Sequence, residues 1–146
     1  MAPIELISQG MAIVVGLSMG RHDATAIKVF HEKGWGGKRE NWWFHQTNNL
    51  TKFLFVILLA TTAAPDIRAM VFVGIASALW IYLFFDMATG KWGHAGSWWY
   101  IGQNDDNGNW WRRTFKTFPS RDVGKIKAAI LFLIILGFNL TKEFIL

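Results

Sequence analysis

Cysteine is absent from the 146-residue chain. No disulfide, thiolate metal site or cysteine nucleophile is therefore available, and the redox compartment has no marker. Histidine is scarce and badly spaced for metal work. His22, His31, His45 and His94 form no His-x-x-x-His or His-Glu-x-x-His pair, so a zinc or di-iron site has no local support. None of them falls in an apolar block, which removes the usual axial ligand for a haem or chlorophyll held inside a bilayer. Ionisable groups at membrane depth, the common mark of a transport path, are missing too: Glu5, Lys52 and Asp86 all sit at block edges. The start, Met1-Ala-Pro-Ile-Glu5, lacks the basic region of a secretory signal, and the first apolar block is expected to be retained.

Also missing is any one uncharged run of the ~18 residues that would settle a membrane span. Four shorter runs are present instead, Leu6 to Gly20, Phe53 to Pro65, Ala69 to Phe85 and Ala128 to Thr141. The apolar fraction, 52%, lies only slightly above the soluble range, so composition does not decide the class. Distribution does. The charges collect between the blocks, and a flanking Lys or Arg can lengthen each block by snorkelling its head to the interface. Phe53-Leu-Phe-Val-Ile-Leu-Leu-Ala60 and Ile130-Leu-Phe-Leu-Ile-Ile-Leu-Gly-Phe138 leave no face for water. A soluble chain this small has too little polar sequence to surround four such helices.

We therefore expect an all-α integral membrane protein, a single domain over residues 1–146 with about four transmembrane helices arranged as two hairpins. The spans are read near 4–20, 47–64, 66–88 and 123–146, with long loops over 21–46 and 89–122. Pro65-Asp66 links the second span to the third, the proline near the first helical position and the acid in the first turn. The first span carries Glu5, Ser8, Gln9 and Gly10, which leaves three arrangements open for it: crossing the bilayer, lying in its interface, or re-entering. With four crossings, the long-loop side holds every one of the 15 basic residues except Arg68 and Lys142. The positive-inside rule then places the long loops in the cytoplasm and both termini outside.

Ser8, Ala12, Gly16, Gly20 and Ala24 recur every four residues, and Gly74 and Ala78 repeat the pattern in the third span. Small residues at this spacing let a neighbouring backbone approach closely, which is how helices associate in lipid. The tryptophans form the second pattern. Of nine, all but Trp80 lie in the two loops: Trp35, Trp42, Trp43, Trp92, Trp98, Trp99, Trp110 and Trp111. An interfacial belt would populate both surfaces. With Arg112 and Arg113 they make an aromatic, cationic face suited to anionic lipid or to a docking partner. The loops echo one another, Trp35-Gly36 before Trp42-Trp43-Phe44 and Trp92-Gly93 before Trp98-Trp99-Tyr100, a pattern that shared interfacial chemistry explains better than duplication. His22 to Lys33 reads as a helix ended by Gly34, Gly36 and Gly37. Ser97–Ile101 and Asn109–Phe115 read as the arms of a short β-hairpin around Asn107-Gly108.

Other chemistries fare worse. A calcium loop over Gln103–Thr114 would put Thr114 where a bidentate Glu belongs. Nucleic acid would suit the paired tryptophans and bases, but lipid headgroups suit them equally and fit the membrane context better. Asn49-Leu-Thr51 and Asn139-Leu-Thr141 match the glycosylation acceptor but abut apolar blocks, and are read as coincidence. No catalytic, metal or cofactor constellation emerges. The expectation is a non-enzymatic, multi-pass structural or accessory subunit of a larger membrane assembly, such as a respiratory or photosynthetic complex, a secretion or pilus base, or a virion inner membrane. Its partners would be other membrane subunits, copies of itself, and anionic lipid. The alternative is a small oligomeric channel or holin-like pore.

Overall fold

A computed structural model describes the backbone of residues 3–32, 38–93, 96–99 and 110–145, and the side chains of 4–26, 46–93, 96–99, 110–111 and 113–141. Every regular element among them is helical: α1 (Pro3–Glu32), α2 (Lys38–Ala63), α3 (Ile67–Trp92), the short α4 (Trp110–Thr114) and α5 (Ser120–Ile145). Two of these, α3 and α5, are long and apolar enough to cross a membrane.

Local chemistry explains the ends. Asp66 holds an extended φ of −145° and caps α3, its carboxylate accepting from the backbone N–H of Arg68 and Ala69 at 2.8 and 2.9 Å. Pro65 thus stands just outside the helix, not at its first position. At the other end Lys91 complements the dipole, and the Gly93 N–H closes onto the Thr89 carbonyl at 2.8 Å. Pro119 starts α5 by accepting from the N–H groups of Asp122 and Val123, donating none itself.

Helix α3 is the hub and touches α1, α2 and α5. Gly16 of α1 lies at Ile81 and Gly20 at Phe85 and Ala88, so α1 and α3 run in the same direction. Ala60 of α2 meets Gly74, and Lys52 reaches Phe85, an antiparallel pairing. Phe138 of α5 meets Phe72 and Lys127 meets Asp86, again antiparallel. The four long helices therefore alternate in direction. Leu83, Trp111, Val123 and Leu131 form one buried cluster, and Ala12, Val15, Leu59 and Ile81 another.

Three expectations need correction. The β-hairpin is not formed: its second arm is helical from Trp110, Trp98 and Trp99 lie in a turn, and the Gln103–Gly108 connection falls outside the described residues. Aromatic β-propensity gave way to packing, since Trp111 is drawn into the core against Val123 and Leu131. In the first long loop the helix expected over His22–Lys33 is present to Glu32, but as a continuation of α1, and the stretch from Lys38 is helical as well. No proline interrupts 21–32 or 38–46, so α1 runs on through Arg21 and α2 starts at Lys38, well before Thr47. Hydropathy marks where a helix is apolar, not where it ends. Last, of the four expected spans only α3 and α5 reach membrane-crossing apolarity; α1 is diluted by Glu5 and Gln9, and α2 by its polar 46–52 segment.

The α1–α3 contact is a matter of missing side-chain atoms. A Cβ on Gly16 would stand 2.8 Å from the Ile81 carbonyl oxygen, and one on Gly20 would run into the Phe85 carbonyl and the Ala88 methyl. Gly137 on α5 has open space around it. Gly20→Ala should therefore destabilise the detergent-solubilised protein by about 1–3 kcal/mol through overpacking, whereas Gly137→Ala should be neutral or stabilising by up to ~1 kcal/mol. Chemical unfolding followed by circular dichroism reads both, and equal effects would contradict the contact.

Candidate functional site

Several polar side chains are buried within this bundle, and they gather at two levels. Near the Pro65 end, the Trp80 indole N–H donates to the Gln9 Oε1 at 2.8 Å, and the Gln9 amide donates to Asn139 Oδ1 at 2.8 Å. The Asn139 amide returns a bond to Gln9 Oε1 at 3.2 Å. One glutamine thus ties α1 to α3 and α5, although the backbones of α1 and α5 do not meet. Glu5 is buried beside this network, and the Ser8 hydroxyl donates to the Leu59 carbonyl of α2 at 3.4 Å.

At the opposite end, all four long helices supply a member of an ionic layer. Lys127 of α5, 1% exposed, donates from its ammonium to Asp86 Oδ2 of α3 and sits 3.8 Å from the centre of the Tyr82 ring. Asn48 of α2 donates to Asp23 Oδ1 of α1 at 3.1 Å. The Lys52 ammonium lies 3.2 Å from the centre of the Phe85 ring, a cation–π contact. From Ile67 to Asp86 is ~28 Å along α3 at 1.5 Å per residue. With Pro65 at one surface, the layer would fall at the far boundary of a ~30 Å hydrocarbon core. There charged heads reach the interface at modest cost.

From the Ala60–Gly74 contact a groove opens between α2 and α3 towards this layer, with a cavity volume of about 590 Å³. Phe53, Val56, Ile75, Ala78, Ile81, Tyr82 and Phe85 give it almost wholly apolar walls, and Asn49, Lys52 and Asp86 supply its polar end. Among the described residues no three His, Asp or Glu side chains come together as metal ligands.

The residues singled out from sequence are distributed as follows. Ser8, Ala12, Gly16, Gly20 and Ala24 are all buried, with Gly16 and Gly20 against the α3 backbone. Gly74 faces α2, and Ala78 is an exposed part of the groove wall. Trp92 and Trp98 pack edge to face, with ring centres 5.0 Å apart, and Arg21 lies over Trp92. Trp99 is exposed, and its carbonyl abuts Gly124 so closely that no Cβ would fit there. Trp110 is exposed whereas Trp111 is buried and stacked on Phe115. Arg113 is exposed. Trp35 and the side chains of Trp42, Trp43 and Arg112 lie outside the described residues.

Sequence reasoning passed over Gln9, Asn139 and Lys127. Gln9 counted only against a crossing, Asn139 only as a chance acceptor motif, and Lys127 only as one more inside charge. The available signal was depth: Lys127 stands about two turns inside the α5 start, where a lone cation needs a mate. Set against known protein families, curated proteins and solved structures, the chain matches none.

The Lys127–Asp86 pair is buried enough for its halves to be unequal to the whole. Lys127→Met or Asp86→Ala alone should each cost about 3–5 kcal/mol, because a buried charge loses its mate, while the double variant should recover most of that loss. Unfolding midpoints in detergent measure it. Additive losses would show the two side chains to be independent.

Proposed function

We propose that the chain crosses the bilayer four times and serves as a non-enzymatic structural or accessory subunit of a larger membrane assembly. One observation carries this reading: large apolar side chains cover the outside of the bundle, while several polar and charged ones are buried inside it. Its buried positions include Lys127, Gln9, Glu5, Asp23 and Ser77, while large apolar side chains stand outside on every long helix. Leu6 is 65% exposed on α1, Phe53 60% on α2, Ile67 70% on α3 and Leu133 64% on α5. Continuous apolar exposure on this scale is not tolerated by a soluble monomer and fits lipid or a protein partner. On α1 the groups that lower its mean apolarity in the apolar half, Glu5, Ser8 and Gln9, are buried, which leaves Ile4, Leu6, Ile7, Met11 and Val14 outside.

The distribution of charge supports an orientation with the ionic layer and aromatic end in the cytoplasm and the Pro65 turn outside, since Arg68 is the one described cation at the turn end. At the inner end the exposed Trp99, Trp110 and Arg113 offer rings and a cation to anionic headgroups or to other membrane subunits, including copies of this chain. Support for the subunit reading comes from packing and surface.

The test is extraction. Carbonate washing should leave the chain in the membrane fraction, and mild detergent should release it with fixed companions identifiable by mass spectrometry. Recovery as a lone monomer would refute the subunit role, and release by carbonate would refute the four crossings. Dye leakage from liposomes carrying the purified chain alone would favour the oligomeric pore instead.

A further inference from the structure

The groove between α2 and α3 ends on the Lys52 ammonium, which makes no direct ion pair although Asp23 and Asp86 are near enough to act on its charge. Lys52 is half-buried, makes its one contact with the face of Phe85, and has no hydrogen bond or ion pair to a described residue. The acids nearest to it are already engaged, Asp86 by Lys127 and Asp23 by Asn48. The ammonium, with the Asp86 carboxylate beside it, thus stands at the polar end of a cavity whose remaining walls are almost wholly apolar. Asn49, one turn towards the inner end, adds an amide on the same side.

We propose that this groove binds an anionic phospholipid of the inner leaflet, its phosphate at Lys52 and Asn49 and one acyl chain along Ile75, Ala78 and Tyr82. The inference rests on the membrane reading above. Charge complementarity selects the occupant: basic pockets between transmembrane helices on the cytoplasmic side take phosphate headgroups. An apolar helix from a partner would fill the walls but leave the ammonium unmatched at low dielectric, where an unpaired charge is costly. The volume, about 590 Å³, lies within the range of small-molecule sites, ~300–1,000 Å³. The ionic layer puts the phosphate at headgroup depth, and the walls lead the chain towards the bilayer centre.

The experiment uses the delipidated full chain in detergent and titrates phosphatidylglycerol and phosphatidylcholine of identical acyl chains, reading adducts by native mass spectrometry. Phosphatidylglycerol should bind more tightly. Lys52→Gln should reduce that preference roughly fivefold, the change that about 1 kcal/mol per Lys makes. Ala78→Phe, which fills the exposed wall without entering the core, should weaken both lipids and leave the unfolding midpoint unchanged. Equal affinity for the two lipids, or a preference indifferent to Lys52→Gln, would overturn the site while leaving the membrane reading intact. A photocrosslinker at position 78 that captures a protein helix in native membranes, and no lipid, would also overturn it. Solubility of the chain without detergent would overturn both readings together.

Discussion

Gly20 lies against the carbonyl of Phe85, and the rest of the bundle depends on how closely those two backbones meet. In lipid the hydrocarbon surroundings are as apolar as a leucine side chain, so burial against another helix gains nothing from leaving the solvent. What remains is dispersion, which needs atoms within ~4 Å of each other. Small residues on one side of α1 permit that over more than half of its length, from Ser8 to Ala24. A mid-helix glycine costs about 0.5–1 kcal/mol relative to alanine, and the contact it allows with α3 offsets that. The register it fixes, Gly16 at Ile81 and Gly20 at Ala88, places Gln9 within reach of Trp80.

Polar groups then follow from packing and do not replace it. Interhelical hydrogen bonds in membrane proteins average only ~0.6 kcal/mol, because the separated helices also find partners in lipid. The Gln9 network is therefore better understood as a registry device than as the main source of stability: one amide satisfied by both Trp80 and Asn139 fits one rotation of three helices. The ionic layer acts likewise. Lys127 and Asp86 gain little net energy from each other once desolvation is counted, yet each alone would be costly. A slip of α5 along α3 by one turn would part them and bring an apolar residue opposite the ammonium. Ser77, wholly buried with its hydroxyl lacking a partner among the described residues, shows the same priority from the other side. Its small size suits the α1 contact, and its polarity is tolerated.

How much of this was legible before the coordinates depends on whether the signal was local. The helices were, since apolar runs free of proline and a capping Asp66 need no knowledge of neighbours. Helix length was legible only in part. His22 to Lys33 showed its helix through a cap and an apolar side, but not that it continues α1. Lys38 to Gln46 is polar yet helical, where hydropathy sees only polarity. The aromatic run at Trp110 was misread for a related reason. Its β-propensity is that of any such run, and what decided it was a pocket formed by Val123 and Leu131, residues beyond a turn and a proline. The members of the ionic layer were each visible as charges, but their convergence from Asp23, Lys52, Asp86 and Lys127 is tertiary information. Gln9 illustrates the limit most clearly. Alone it argues against a membrane helix, and next to Trp80 and Asn139 it argues for one.

The groove between α2 and α3 follows from the same constraints. Helix α3 already gives its small-residue face to α1 and its aromatic face, Phe72 and Trp80, to α5. What is left for α2 is Gly74, which admits close approach at Ala60, and then the bulk of Tyr82 and Phe85, which does not. A straight α2 resting on Gly74 must stand off from Phe85, and the gap widens towards Lys52. In water such an apolar gap would favour collapse, with α2 tilting onto α3. In a bilayer a lipid chain could fill it at no hydrophobic penalty, which is the setting in which the proposed site would leave the gap open. The cleft is thus less a defect of packing than the outcome of three helices competing for one hub, and its polar end marks the depth at which the hydrocarbon stops.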